Sequence, residues 1–73
     1  MASIKVKSEV TGKVWKIEVA IGAAVSADEP LMVIESMKME IPVCSEEEGT
    51  LLELLVAEGD SVEDGQVVAI VGT

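Results

Sequence analysis

Aromatic residues are almost missing from this chain: Trp15 stands alone, with neither Phe nor Tyr. Any core must therefore be aliphatic. Histidine is absent, and Cys44 is the one cysteine. Without His, and with no serine or cysteine nucleophile beside a base, the usual parts of acid–base or nucleophilic catalysis are missing, so an enzyme is not expected. A glycine-rich phosphate loop in its strand–helix context is missing too. A lone cysteine forms no intramolecular disulfide, which points to a reducing, cytoplasmic compartment. Five basic residues oppose fourteen acidic ones, a net charge of −9. Nucleic acid and anionic lipid both call for a basic face, so neither is an expected partner. No apolar run approaches the ~18 residues of a spanning helix, and the residues from Met1 to Lys5 lack the architecture of a signal peptide.

What the chain does have is an internal repeat. Shifted by 37 positions, Ser8, Glu9, Gly12, Val19, Ala20, Gly22 and Val25 fall on Ser45, Glu46, Gly49, Val56, Ala57, Gly59 and Val62. Two copies are too few for a solenoid, so the repeat implies two similar halves in one domain over 1–73, related by a pseudo-two-fold. The half-modules run from about 8 to 36 and from 45 to 73, joined by a hairpin over 35–40. Under that symmetry the middle of the chain corresponds to the gap between its ends. The termini should therefore meet at the end opposite Lys38.

Alternation dominates the local pattern. Ile4 and Val6 open a short strand, and Trp15, Ile17 and Val19 alternate with Lys16 and Glu18 as a half-buried second one. Leu31 to Ile34 and Ile41 to Cys44 form a central pair. The second half repeats the scheme in Leu52, Leu54 and Val56, then in Val67 to Val71. Gly12, Gly22, Gly49, Gly59 and Gly65, with Pro30 and Asp60, punctuate these runs. Short strands at such spacing indicate an all-β sandwich or barrel. Glu46-Glu47-Glu48 could open a helix, but Gly49 follows at once, and its repeat partner Gly12 precedes a strand.

If Met37 and Lys38 are the two loop residues of a tight hairpin, Ser36 faces Met39, Glu35 faces Glu40, Ile34 faces Ile41, and Met32 faces Val43. Met32, Ile34, Ile41 and Val43 then share an inward face. Glu35 and Glu40 become like charges directly opposite each other, which is locally unfavourable. Two-residue hairpin loops favour positive φ and sequences such as Asn-Gly, so Met-Lys is poor turn chemistry. A sequence chosen for stability alone would not place it there.

At these residues a resemblance enters. Glu35-Ser36-Met37-Lys38-Met39-Glu40-Ile41-Pro42 resembles the attachment motif of the biotinyl/lipoyl domain family, in its biotin carboxyl carrier branch of short, thumbless form. Glu58-Gly59-Asp60 to Gln66 is similar to the family's second-half turn region. Lipoyl-bearing relatives carry Asp-Lys-Ala where this chain has Met37-Lys38-Met39. The resemblance implies a flattened β-barrel or sandwich of two four-stranded antiparallel sheets, a barrel-sandwich hybrid. It implies that a biotin protein ligase attaches biotin to Lys38, which carries CO2 as carboxybiotin between biotin carboxylase and carboxyltransferase components. The carrier itself would be non-catalytic and, in isolation, monomeric. Met37 and Met39 would flank the lysine as recognition contacts, with Glu35 and Glu40 as further ligase contacts. An ordinary lysine is almost wholly protonated at neutral pH, so a separate ligase must position and deprotonate it. Two departures stand out. Ala23 to Glu29 replaces the Gly-Asp turn often found in the first half, leaving that loop's geometry open. Ser36 replaces the commoner alanine before Met-Lys.

Other readings attach to the same residues. A lipoyl carrier is the nearest relative. Met37 and Met39, with Met32 and Cys44, offer soft ligands for Cu(I); the hairpin register points Met32 away from Cys44. A structural interaction domain is the third alternative. No hard-cation site is expected at Glu46-Glu47-Glu48, because consecutive strand side chains cannot all face one ion. A free-standing carrier and a domain excised from a longer chain are both compatible with this length.

Overall fold

The computed structural model describes residues 2–73; Met1, where the expected 1–73 span begins, lies outside them. Eight strands follow in order: β1 (Ser3–Lys7), β2 (Gly12–Ile17), β3 (Ala24–Val25), β4 (Pro30–Ser36), β5 (Met39–Cys44), β6 (Gly49–Leu54), β7 (Ser61–Val62) and β8 (Val67–Gly72). They form two four-stranded sheets, ordered β1-β8-β6-β3 and β5-β4-β2-β7, with every pairing antiparallel. No helix occurs among the described residues, so Glu46-Glu47-Glu48 lies in an exposed loop leading into β6. The all-β expectation holds. The two-residue strands β3 and β7 are too short to carry an alternation signal of their own.

The repeat is visible in three dimensions. Each strand of the first half maps onto one of the second, and the first sheet's order becomes the second's when β1, β8, β6 and β3 are replaced by β5, β4, β2 and β7. Small contacts obey the same rule. Ser8 Oγ donates to the Val10 carbonyl at 2.6 Å, and Ser45 Oγ donates to the Glu47 carbonyl at 2.6 Å. The Gly22 amide donates to the Leu51 carbonyl, and the Gly59 amide to the Val14 carbonyl, so each half's turn is pinned to the other half's strand. Both glycines have positive φ, 91° and 92°, which glycine adopts without steric cost. The first-half loop follows the second despite its different sequence: Ala23 N bonds Ala20 O as Asp60 N bonds Ala57 O. The second turn alone adds a side-chain brace, Asp60 Oδ2 accepting from the Ala57 amide.

The core between the sheets is aliphatic, with Leu31, Met32, Ile34, Leu51, Val14, Val62, Val68 and Val71 essentially inaccessible. One expectation fails here. Of the expected inward set Trp15, Ile17 and Val19, Trp15 does not face the core; Val14 does, at 1% exposure, while Trp15 is 52% exposed. In the pairing with β4, Val14 faces Ile34 and Lys16 faces Val33, so Trp15 is the extra residue of a β-bulge. The bulge shifts the alternation by one and turns the indole outward. Its repeat partner behaves alike: Leu51 is buried, and Leu52 bulges outward between the Leu51 and Glu53 pairings with β8. The Leu52 side chain covers Gly72, whose missing Cβ would press against it. Ile17, Val19 and Leu54 pack only partly against the core.

The two ends of the described chain, Ala2 and Thr73, meet. Ser3 pairs with Gly72, and the Thr73 amide donates to the Ala2 carbonyl at 2.8 Å. From there β1 leads toward Thr11, whose carbonyl accepts from Ser36 at the base of the β4–β5 hairpin. The hairpin and the termini therefore occupy opposite ends.

Candidate functional site

The β4–β5 hairpin has the register read from the sequence: Ser36↔Met39, Glu35↔Glu40, Ile34↔Ile41, Val33↔Pro42 and Met32↔Val43. Met37 and Lys38 form the two-residue loop, with φ of 52° and 66°. Positive φ at both central residues is the type I′ turn, whose twist suits the strands it joins. For residues bearing a Cβ this region is unfavourable by roughly 1–2 kcal/mol each. The turn holds because the strands beneath it are fixed. Met32 and Ile34 lie in the core, Val43 is nearly as buried, and Ile41 is half-buried.

The turn raises Lys38 into solvent between two exposed methionines, Met37 at 92% and Met39 at 63%. Among the described residues the one ion pair is Lys16 Nζ to Glu18 Oε1, at 3.5 Å, so the Lys38 ammonium is not tied down. Glu35 and Glu40 are both exposed and directly opposed on the outer face. On the far side of Glu35, Lys13 of β2 is paired with it in register. This places a positive charge in the same row as the two carboxylates, a compensation that the hairpin considered alone does not reveal.

Three residues outside the motif, Thr11, Gly12 and Asp64, help to support the turn. Ser36 Oγ donates to the Thr11 carbonyl at 2.8 Å, joining the last residue before the loop to the segment entering β2. Thr11 Oγ1 in turn accepts from the Asp64 amide at 3.1 Å. Gly12 lets β2 approach closely, since a Cβ there would collide with the Glu35 carbonyl oxygen. The unusual serine of the motif is therefore an anchor. Its partner lies 25 residues away, and no local spacing points to it.

The arrangement suits covalent attachment. A primary amine stands at the apex of the β4–β5 hairpin, exposed and without an ion-pair partner among the described residues. Met32 is wholly buried and cannot join Met37 and Met39 around a metal ion. No group of three or more His, Cys, Asp or Glu side chains is placed to hold a metal among the described residues.

Comparison with known proteins gives a consistent result. The family model described as Biotin-requiring enzyme (Biotin_lipoyl) matches residues 2–71. The biotin/lipoyl attachment protein of Bacillus subtilis is 35% identical over 63 residues, covering 86% of this chain and 86% of that protein. The urea amidolyase of Saccharomyces cerevisiae is 32% identical over 68 residues, 93% of this chain but 4% of the enzyme. The crystal structure of the Kluyveromyces lactis urea carboxylase superposes with a TM-score of 0.93 at 35% identity, covering 99% of this chain and 6% of that one. The chain thus spans nearly all of one small relative and a small fraction of the large ones.

Proposed function

This chain belongs to the biotin/lipoyl attachment family, as a biotin carboxyl carrier, and we propose that Lys38 is the residue that bears the biotin. The observation that carries this assignment is the strained Met37-Lys38 turn, which holds an unpaired amine at one tip of the molecule. A biotin protein ligase supplies the activated acyl group and takes up the lysine's proton. Met37 and Met39 give that ligase an apolar, adaptable contact on both sides of the target nitrogen. Glu35 and Glu40 add a fixed pair of carboxylates just below it.

When bound, biotin supplies a ureido nitrogen that accepts a carboxyl group at one active site and releases it at another. The chain's own part is mechanical. The rigid hairpin presents the arm, the acylated lysine loses its charge, and tethering raises the local concentration at each active site without tight binding. The carrier performs no chemistry itself. Carboxylase and carboxyltransferase components, on separate chains or on the same one, are the partners this role requires.

Lipoyl carriage is the rival within the family, since its name covers both groups. Methionines on both sides of Lys38, in place of Asp-Lys-Ala, favour biotin. Incubation with a biotin protein ligase, ATP and biotin should add one biotinyl group by intact mass. Lys38→Ala should add none. Loading by a lipoate ligase in place of the biotin enzyme would reverse the assignment.

A further inference from the structure

The hairpin is not the only feature at its end of the molecule that suits a prosthetic group. Strand β1 terminates one sheet and β5 the other, and the two edges flank a groove of about 640 Å3. Val6 and Val43 are buried beneath it, and Val10 and Ile41 line it half-exposed. Among the described residues, strand β1 pairs only with β8 and β5 only with β4, so each leaves backbone N–H and C=O groups along its outer edge without a strand partner. Charged residues of both signs, Lys5 and Lys7 with Glu9, Glu46 and Asp64, also line the groove.

The groove begins close to the attachment point. Ile41 is three residues along β5 from Lys38, about 10 Å at strand rise. A biotinyl-lysine arm has eleven bonds from Cα to the ring, on the order of 14 Å when extended. The near half of the groove, at Ile41 and Val10, is thus within reach, whereas the far half is not. Its chemistry also matches that of the head group. A thioether ring and an alkyl chain can cover Val10 and Ile41. A ureido group, with two N–H donors and one carbonyl acceptor, is a small mimic of a peptide and can meet the unpaired edge of a strand.

We propose that the β1–β5 groove is a docking site for the biotin head of this chain's own Lys38. This rests on Lys38 being the attachment residue. The head exchanges between the groove and solvent, so the loaded carrier shelters its cofactor between visits to partner enzymes.

The test uses the full chain, loaded by a biotin ligase, with loading confirmed by intact mass. In NMR spectra, ring protons should show contacts to the Val10 and Ile41 methyl groups, and amides of β1 and β5 should shift relative to the unloaded protein. A head docked nine-tenths of the time should also slow avidin capture about tenfold. Val10→Asp, checked for fold by circular dichroism, should restore the faster rate; the wild-type contacts stand as evidence even if that variant unfolds. A loaded protein whose ring protons contact nothing beyond residues 35–40, and which avidin captures as fast as a biotinylated peptide, would overturn the docking site while leaving the carrier assignment intact. Absence of biotin on Lys38 would overturn both. Concentration-dependent shifts along β1 and β5 in the unloaded protein would give the groove to a second copy instead.

Discussion

At the scale of single residues, the hairpin loop sets stability against use. Met37 and Lys38 both hold positive φ at a position where Asn-Gly is the ordinary choice. Replacing the pair with Asn-Gly should raise the free energy of unfolding by about 1–2 kcal/mol, read from urea denaturation, while abolishing biotin loading. A lower midpoint for that variant would mean that the turn is not strained. Ser36 acts in the opposite sense. Its bond to the Thr11 carbonyl ties the loop to the β2 side of the sheet, and Ser36→Ala should cost about 0.5–1.5 kcal/mol. Amide exchange at Met37 and Lys38 should quicken in that variant, while exchange in β8, at the other end, stays unchanged. The lysine and its flanking motif were plain in the sequence because they are contiguous. Thr11, Gly12, Lys13 and Asp64 were not, because only folding brings them beneath the loop.

At the scale of strands, the bulges decide which side chains are core. Simple alternation from Trp15 or Leu52 puts those two residues inside where Val14 and Leu51 lie instead, because each bulge inserts one residue and shifts the register between Val14 and Lys16, and between Leu51 and Glu53. Adjacent leucines therefore have different fates. Leu51→Ala should cost about 2–5 kcal/mol as a buried truncation. Leu52→Ala, at a half-exposed position, should cost under about 1 kcal/mol, and thermal melts of the two variants would check the contrast. Equal losses would contradict the bulge. The central hairpin escaped this error because its loop anchors the count: pairing outward from Met37-Lys38 gives the correct partners as far as Met32 and Val43. Beyond them, another shift between Pro30 and Met32 places Leu31 as well as Met32 in the core. Hydrophobic pattern thus conveys that strands exist and roughly where. Bulges depend on contacts with neighbouring strands, and a single strand's sequence does not encode them.

At the scale of the whole molecule, duplication makes the two ends equivalent in backbone and different in use. Ser36 and Met39 bracket the two-residue loop; under the 37-residue shift they correspond to Thr73 and Ala2, which also lie side by side. Thr73 and Ala2 are therefore held as the two residues that flank a tight turn are held. Joining Thr73 to Ala2 through Asn-Gly should complete such a turn without disturbing either sheet. Closing a ring of this length removes unfolded-state entropy, worth up to about 4 kcal/mol in the chain-entropy treatment. The expected result is a cyclic protein with a clearly higher melting temperature and unchanged biotin loading, because the new turn lies at the end remote from Lys38. A cyclic form that melts lower would show that the paired termini are not preset for a tight turn, and that the symmetry stops short of them. If its loading fell while its stability rose, the opposite ends would be coupled through the sandwich, and the hairpin could no longer be treated as an independent support for the lysine.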